Sequence, residues 1–543
     1  MWRLGAGLAV AISLAACGAD PTTVAALSTV GPTTVTPVTM TAAEDGDSAF
    51  RVDVSRWPAG SDQTDVAWHA ATVALMSAGE DPRGRVLSLS AAERLDGSSA
   101  GPLLAAGSWA ALDSVGLSDA MSLVGTLLPN GAVGPVSGIP TSLRAAAQAG
   151  IGTVLIPAHP RLVVDDHDGR VLPEGLAESV GVTVRRVSSL AEASAVMRGD
   201  PVPAVTPAPE LDPDLVDLVT IASEQIIEQM TAVLTSVPPA QRPEMVRSIR
   251  AARAALTAGR PFVAYATITL AQQEYEMDEA ARATTSGRIG VVRRDLVRDV
   301  RQRRQLTVRS LRLYGSTPLR AVEQYPALAD ALTWATGTLG LLEPLDQAAA
   351  AARTRDQLAA VARQIARAAY RVSTYLPLQV EAAARIGSVP ISDPAGIESL
   401  LGSYAHLLAR AADSNRGSLP LRLRSQRDVW RHLGTARTGQ EATVVSLAAA
   451  LSYYVASGDT SVAAESFAAQ VATATQINNQ ISDTLTQLEF DPSYVVWGDE
   501  WGRTWAAGGR TDPVVRTTGV TYQWYATVQG QMLRGLASVS GRQ

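Results

Sequence analysis

The sequence contains no lysine, so all 46 of its basic residues are arginines. An arginine guanidinium stays protonated at any ordinary pH, whereas a lysine amine can lose its proton when burial lowers its pKa. A serine hydroxyl is a weak nucleophile at neutral pH and needs a base beside it. The missing lysine therefore excludes every serine-dependent site in which a side-chain amine is that base.

Cysteine and aromatic residues are also scarce. Cys17 is the only cysteine, which excludes a disulfide within the chain. Aromatic residues make up 5% of the 543 residues, while hydrophobic residues make up 46% and alanine is abundant, a composition that favours helices. A net charge of −6 argues against a nucleic-acid partner. No apolar run after the N-terminal segment is long and uncharged enough to predict a transmembrane helix.

The first 17 residues have the pattern of a secretory signal. Arg3 precedes an apolar run over residues 4–16, which is too short to span a bilayer. The run ends in Leu14-Ala15-Ala16-Cys17-Gly18, which resembles a bacterial lipobox and implies cleavage before Cys17 with a diacylglycerol on its thiol. We therefore expect an extracytoplasmic protein, held to the outer face of the cell membrane through Cys17. An ordinary signal peptide is the alternative.

Composition divides the rest of the chain into four segments. Residues 18–50 are rich in threonine and proline without a helical or strand period, which predicts a flexible tether. Residues 51–200 alternate short strands with helices and predict an α+β domain. Residues 201–212 form a proline-rich linker. Residues 213–543 carry helical apolar stripes and predict a large all-α domain of nine to eleven helices.

Several elements can be placed individually. Alternation predicts a strand over residues 86–90, and a short apolar run ending in proline predicts another over residues 151–157. Helices are expected over residues 100–115 and 140–149, the second ended by Gly150. An aspartate followed by proline starts three more helices, at Asp212-Pro213, Asp393-Pro394 and Asp512-Pro513.

Two blocks of residues 86–157 resemble the proteolytic domain of the Lon protease family. In that family the nucleophilic serine lies in an Asp-Gly-x-Ser-Ala-Gly turn, which matches Asp96-Gly97-Ser98-Ser99-Ala100-Gly101. A second family block matches Gly125 and residues 131–139, 145–151 and 154–157, at the family's separation from the first. The resemblance implies an α+β Lon-type proteolytic domain with Ser99 as its nucleophile. An export signal without an ATPase module looks like the secreted Lon-like proteins of some prokaryotes.

The chain differs from the Lon family at the residue that acts as the catalytic base. The family's dyad lysine falls at Ser142 here, and a supporting threonine falls at Val124. The resemblance therefore implies a degenerate peptidase that binds a peptide or an envelope protein in the old substrate groove. Ser99 and the free N–H groups at the start of its helix would keep a pocket for an anion or a carboxylate.

Two other functions remain open. One is an active, ATP-independent serine endopeptidase in which a different base activates Ser99, since triads are defined by geometry. Of the five histidines, His69 and His159 are the candidates for that base, while Asp96 is expected to organise its turn. The other three histidines are His167, His406 and His432. The other function is an envelope assembly scaffold that acts through its helical domain. No Walker motif is present, and neither ATP nor a cofactor is expected.

Three further patterns have a structural explanation. The run Asp165-Asp166-His167-Asp168-Gly169 lacks the ligand spacing of a cation loop and predicts a solvated turn rather than a metal site. The arginine-rich residues 293–304 predict a solvated helix with ion pairs, the alternative being contact with anionic lipid. Trp497, Trp501 and Trp505 recur every four residues, and Tyr522, Trp524 and Tyr525 follow. These aromatic residues predict helix packing rather than an exposed binding surface.

Overall fold

The computed structural model describes residues 21–541 apart from residues 28–34, 47–48, 58–60, 92, 94, 96–97, 166–168, 208, 415–420, 434–438, 459–463 and 509–512. An α/β region extends to Arg198, and a helical region begins at Pro213. This order confirms the general layout of an α+β part followed by a large all-helical part. Cys17 and the rest of the predicted signal lie outside the described residues.

The first sheet has four strands: β1 (Thr22–Leu27), β2 (Val35–Glu44), β3 (Arg51–Asp53) and β4 (Arg85–Ala91). Their order is β1-β2-β4-β3, with β2 antiparallel to both neighbours and β3 parallel to β4. The prediction of a flexible tether over residues 18–50 is wrong for β1 and β2. Their threonine and valine residues alternate between a buried and an exposed face, as suits a half-buried strand.

The second sheet is parallel and has three strands, in the order β11 (Thr183–Val187), β8 (Thr153–Pro157) and β5 (Met121–Leu123). Two short antiparallel ladders flank it: β6 (Thr126–Leu127) with β7 (Val133–Gly134), and β9 (Val163–Asp165) with β10 (Gly169–Val171). Strands β4 and β8 confirm the predictions for residues 86–90 and 151–157.

Five helices belong to the α/β region: α1 (Ser61–Ala78), α2 (Gly101–Leu112), α3 (Ile139–Ala149), α4 (Pro173–Val180) and α5 (Leu190–Arg198). Helices α2 and α3 confirm the predicted helices. Gly138 and Gly150 bracket α3 with φ of 77° and 75°. Glycine adopts this left-handed conformation without the penalty that a Cβ brings, which is why it ends α3.

The described part of the helical region holds thirteen α-helical segments, more than the nine to eleven predicted. They are α6 (Pro213–Ala232), α7 (Arg242–Thr257), α8 (Pro261–Ala283), α9 (Ile289–Gly315), α10 (Gln324–Ala351), α11 (Arg355–Tyr370), α12 (Leu376–Arg385), α13 (Pro394–Ser414), α14 (Leu421–Leu433), α15 (Gln440–Ser457), α16 (Ala464–Gln487), α17 (Ser493–Gly508) and α18 (Pro513–Leu536). A π-helical turn, Arg371–Tyr375, joins α11 to α12.

The Asp-Pro signals mark real helix starts. The Asp212 carboxylate accepts a hydrogen bond from the N–H of Asp214 at 2.8 Å and caps α6. The Asp393 carboxylate accepts one from the N–H of Gly396 at 3.0 Å, at the start of α13. Helix α18 begins at Pro513, while Asp512 lies outside the described residues.

One hydrophobic core runs through both regions. Helix α1 packs on α2 within the α/β region and on α13 and α18 of the helical region. Polar contacts reinforce this packing, because the Tyr404 hydroxyl donates to the Glu80 carbonyl at 2.8 Å and Arg534 donates to the Ser77 carbonyl at 2.8 Å. The two regions are therefore joined by packing as well as by residues 201–212. None of the described helices has the length and apolar character needed to cross a bilayer.

Candidate functional site

Ser99 lies in a single 3₁₀ turn, Ser98–Ala100, directly before α2. Its side chain is buried, with 3% of the residue exposed. The Gly125 N–H donates to the Ser99 carbonyl oxygen at 3.1 Å, which joins the turn to the second sequence block. The following Gly101 permits close approach, since a Cβ there would lie 3.2 Å from Leu127 Cβ. Asp96 and Gly97 lie outside the described residues.

Ser142 is the residue at which the Lon resemblance would place a lysine. It lies in the first half of α3 and is completely buried. Its hydroxyl donates to the Gly138 carbonyl at 3.3 Å, within the same helix. Val124 is also buried and belongs to an apolar cluster with Ile139 and Leu143. The fold therefore brings the two blocks together, through the bond between Gly125 and Ser99, and surrounds position 124 with apolar side chains.

His69 is the candidate base that packs against the second block. Its Nε2 lies 3.2 Å from the Leu127 carbonyl oxygen, so this nitrogen carries the proton and donates. The ring is buried and its centroid lies 5.9 Å from that of Tyr454. Burial lowers the pKa of His69 to about 4, against the opposing effect of its bond to Leu127. A neutral imidazole with this pKa is a much weaker base than an ordinary histidine.

The other histidines lie elsewhere. His159 is exposed beside α16, where it lines a small crevice with Gln470 and Thr473. His406 and His432 line a cavity of about 730 Å³ between α9, α13, α14 and α15 of the helical region. His167 lies outside the described residues.

Helices of the helical region lie over the second block. The Tyr454 hydroxyl of α15 donates to the Pro129 carbonyl at 3.4 Å. Gly458, just after α15, lies so close to Pro129 that an added Cβ would be 2.6 Å from Pro129 Cγ. Helix α16 contributes to the crevice that also contains Pro135 and His159. The end of α15 and part of α16 therefore lie against the segment that follows Gly125, and Ser99 itself is buried.

Asp165 is held by an ion pair rather than presented to a cation. Its buried carboxylate lies 2.6 Å from the guanidinium of Arg144, which is a residue of α3. In the antiparallel ladder of β9 and β10, Asp165 pairs with Gly169. Within the described residues no group of three or more metal-ligating side chains comes together, and residues 166–168 are not among them.

The arginine-rich helix and the tryptophan row have the structural roles expected. Helix α9 forms exposed ion pairs, Arg301 with Asp346 at 3.5 Å and Arg304 with Glu343 at 3.1 Å. All three tryptophans of α17 are buried. Trp501 packs edge-on to Phe262 and Tyr265, with ring centroids 4.7 Å and 5.3 Å apart. These residues stabilise the helical core and form no open surface.

A cavity at the junction of the two regions was missed by the sequence reasoning. It has a volume of about 350 Å³ and lies between α1, α2, the start of α5, the segment around Ala204, α16 and α18. Its polar lining includes Asn130 and Arg534, and its apolar lining includes Trp109 and Ile481. The residues come from positions far apart in the chain, and no local pattern in the sequence marks them.

Comparison with models of known protein families and with curated proteins gives no match to this chain.

Proposed function

We propose that this chain is a degenerate Lon-like peptidase that binds a peptide or an envelope protein and does not cleave it. The observation that carries the proposal is the burial of both hydroxyls at the positions of the Lon dyad. Ser99 is 3% exposed and Ser142 is 0% exposed. Export and attachment to the membrane through Cys17 belong to the same proposal and rest on the lipobox-like sequence.

Burial of Ser99 opposes acyl transfer for a geometric reason. Attack requires the serine oxygen to come within about 3–3.5 Å of a substrate carbonyl carbon, with the scissile bond in the site. The turn carrying Ser99 is tied to Gly125, and the first turn of α2 after it is buried. A polypeptide cannot reach the hydroxyl without displacing this packing.

The missing amine opposes catalysis for a chemical reason. Ser142 provides a hydroxyl where the family has an amine, and that hydroxyl donates to the Gly138 carbonyl. Arginine cannot replace the lysine because its guanidinium keeps its proton. Burial lowers the pKa of His69 to about 4, so its imidazole is a weak base for a serine hydroxyl. Each of these features opposes cleavage.

The position of the helical region moves the expected binding surface away from Ser99. Helices α15 and α16 lie over Pro129 and Pro135, beside the predicted groove. This packing favours recognition at the helical region or at its junction with the α/β region. It also supports the alternative of an envelope scaffold, in which the Lon-like region is a structural support.

Labelling by a fluorophosphonate probe tests the proposal. The purified full-length chain and its Ser99→Ala variant are incubated with the probe, with an active serine peptidase as positive control. We expect both forms of the chain to stay unlabelled while the control reacts. Labelling of the wild type that is lost in Ser99→Ala would overturn the proposal and favour the active endopeptidase.

A further inference from the structure

The junction cavity is lined by a partly buried arginine, Arg534. The Arg534 guanidinium, on α18, donates to the main-chain carbonyls of Ser77 at 2.8 Å and Ala78 at 3.4 Å, at the C-terminal end of α1. Among the described residues it forms no ion pair with a carboxylate. Burial lowers the pKa of Arg534 from its ordinary value, with weaker opposing effects from Tyr404 and Asp113. An anion in the cavity would stabilise this charge.

A second group in the wall has an unused donor. Asn130 is 1% exposed, and its side-chain oxygen accepts a hydrogen bond from the Ala132 N–H at 3.2 Å. This bond fixes the orientation of the amide and leaves its nitrogen as the donor. The nitrogen is buried and has no acceptor among the described residues. A buried donor without an acceptor costs about 1–3 kcal/mol, so a ligand that accepts from it is favoured.

The start of α5 forms a third part of the wall. Ser189, Leu190 and Ala191 line the cavity at the helix N-terminus. The positive end of a helix favours a negative group in this position. The Glu192 carboxylate of the same turn accepts from the Ser188 N–H at 2.8 Å and hydroxyl at 2.7 Å, and it is not part of the wall.

The remaining lining favours a ligand with one negative charge and an apolar body. Asp483 lies exposed at the cavity, and its negative charge opposes a dianion such as a phosphate. Trp109, Ile477 and Ile481 supply apolar surface. A volume of about 350 Å³ lies at the lower end of the range of small-molecule sites, roughly 300–1,000 Å³.

We infer that this cavity binds a carboxylate attached to an apolar group, and that the carboxylate is the C-terminus of a peptide. Arg534 supplies the charge, Asn130 the directed hydrogen bond and the start of α5 further positive potential. The apolar lining receives the last side chains of the peptide. This assignment rests on the proposed function, because it names the ligand of the binding protein proposed above.

Isothermal titration calorimetry on the full-length chain tests the inference. The probes are N-acetyl-Leu-Ala with a free carboxylate and the same dipeptide with a C-terminal amide. We expect the acid to bind at least about tenfold more tightly than the amide, since a hydrogen bond to a charged group is worth more than a neutral one. Octanoate and inorganic phosphate are titrated separately to identify the source of the anion.

Two variants place a repelling charge in the wall. Asn130→Asp keeps the acceptor for Ala132 and replaces the donor with a carboxylate. Ala191→Asp adds a carboxylate in the first turn of α5, where an acidic residue is favourable for helix stability. Both should weaken binding of the acid at least about tenfold. Gln225→Glu on the exposed face of α6 makes the same change in charge elsewhere and should leave binding unchanged. Thermal melts confirm that each variant is folded.

Each outcome has a clear meaning. Binding of the acid alone, lost in Ala191→Asp and kept in Gln225→Glu, supports the inference. Octanoate binding with the same dependence, but no dipeptide binding, keeps the carboxylate site and overturns the peptide assignment. Equal binding of acid and amide, preference for phosphate, or no binding by folded protein overturns the inference. The dipeptide is recovered after the titration and its mass is measured by mass spectrometry. Cleavage of the dipeptide would count against the proposed function rather than against the cavity.

Discussion

The Gly125 N–H donates a hydrogen bond to the Ser99 carbonyl oxygen, with the two atoms 3.1 Å apart. This bond ties the turn before α2 to the segment between β5 and β6. Gly125 is also enclosed, since an added Cβ would lie 2.6 Å from Val133 Cγ1 and 3.4 Å from the Gly134 carbonyl oxygen. Close packing therefore requires glycine at position 125, next to the serine turn.

Gly125→Ala should destabilise the protein because the new methyl group meets Val133 within a packed region. Inserting a methyl group into such a region costs about 1–3 kcal/mol. Gly116→Ala is the matched control, since nothing lies within 4 Å of the Cβ that would be added there. We expect the control to match the wild type or exceed it slightly in stability. Urea unfolding measures both, and equal midpoints for the two variants would contradict the packing described for Gly125.

Ser142→Lys should not produce a peptidase, although it places a lysine where the proposed Lon-like alignment would have one. The side chain at position 142 is fully buried, and Val124 nearby provides no hydroxyl. A charged amine at this position must be desolvated, which lowers the stability of the fold. We expect a lower melting temperature than for Ser142→Ala and no cleavage of a fluorescent polypeptide. Efficient cleavage by the single variant would show that the base alone was missing.

His69 should make the fold less stable as the pH falls. Its pKa is about 4 in the folded protein, against about 6.5 in an unfolded chain. The unfolded state therefore binds the proton first, and stability is lost as the pH falls from about 6.5 to about 4. The full loss is about 3 kcal/mol. His69→Gln keeps an N–H donor and does not titrate, so its urea midpoint should fall less between pH 7 and pH 4 than that of the wild type. Parallel pH profiles would contradict this role for His69.

Asp330 should make the fold less stable as the pH rises. This carboxyl is buried in α10 close to Tyr494, and burial raises its pKa to about 7. The folded state holds the proton to a higher pH than the unfolded state, whose pKa is about 3.9. The stabilising contribution is therefore complete below about pH 4 and is lost as the pH rises through about 7. Asp330→Asn should gain stability relative to the wild type at pH 8, by up to about 4 kcal/mol, and little at pH 4. A constant difference at both pH values would count against the raised pKa.

Local signals in the sequence were sufficient to predict many of the helices and strands. Gly150 ends α3 and Asp212 caps α6, as their positions predicted. The error over residues 18–50 came from interpreting a threonine- and proline-rich composition as a tether. Pro37 lies within β2 although it lacks an N–H. In the fold, Pro37 pairs only with β1 and lies just before the part of β2 that pairs with β4. The missing donor is therefore tolerated in this part of β2.

The candidate site could be predicted only in part. The bond between Ser99 and Gly125 joins two blocks whose separation was readable from the sequence. The covering of Pro129 by Tyr454 could not be predicted, because it depends on how a distant helix packs. The junction cavity could not be predicted for the same reason. Asn130 and Arg534 line one cavity only because α18 packs on the α/β region.

Hydrolysis of an unstructured fluorescent polypeptide by the purified full-length chain tests the central claim most directly. Wild type and Ser99→Ala are compared at equal concentration, with peptide products followed by mass spectrometry. We expect both to leave the polypeptide intact over hours, since Ser99 is buried and the chain has no lysine. Cleavage by the wild type that disappears in Ser99→Ala would contradict the claim and show that another group accepts the proton of Ser99.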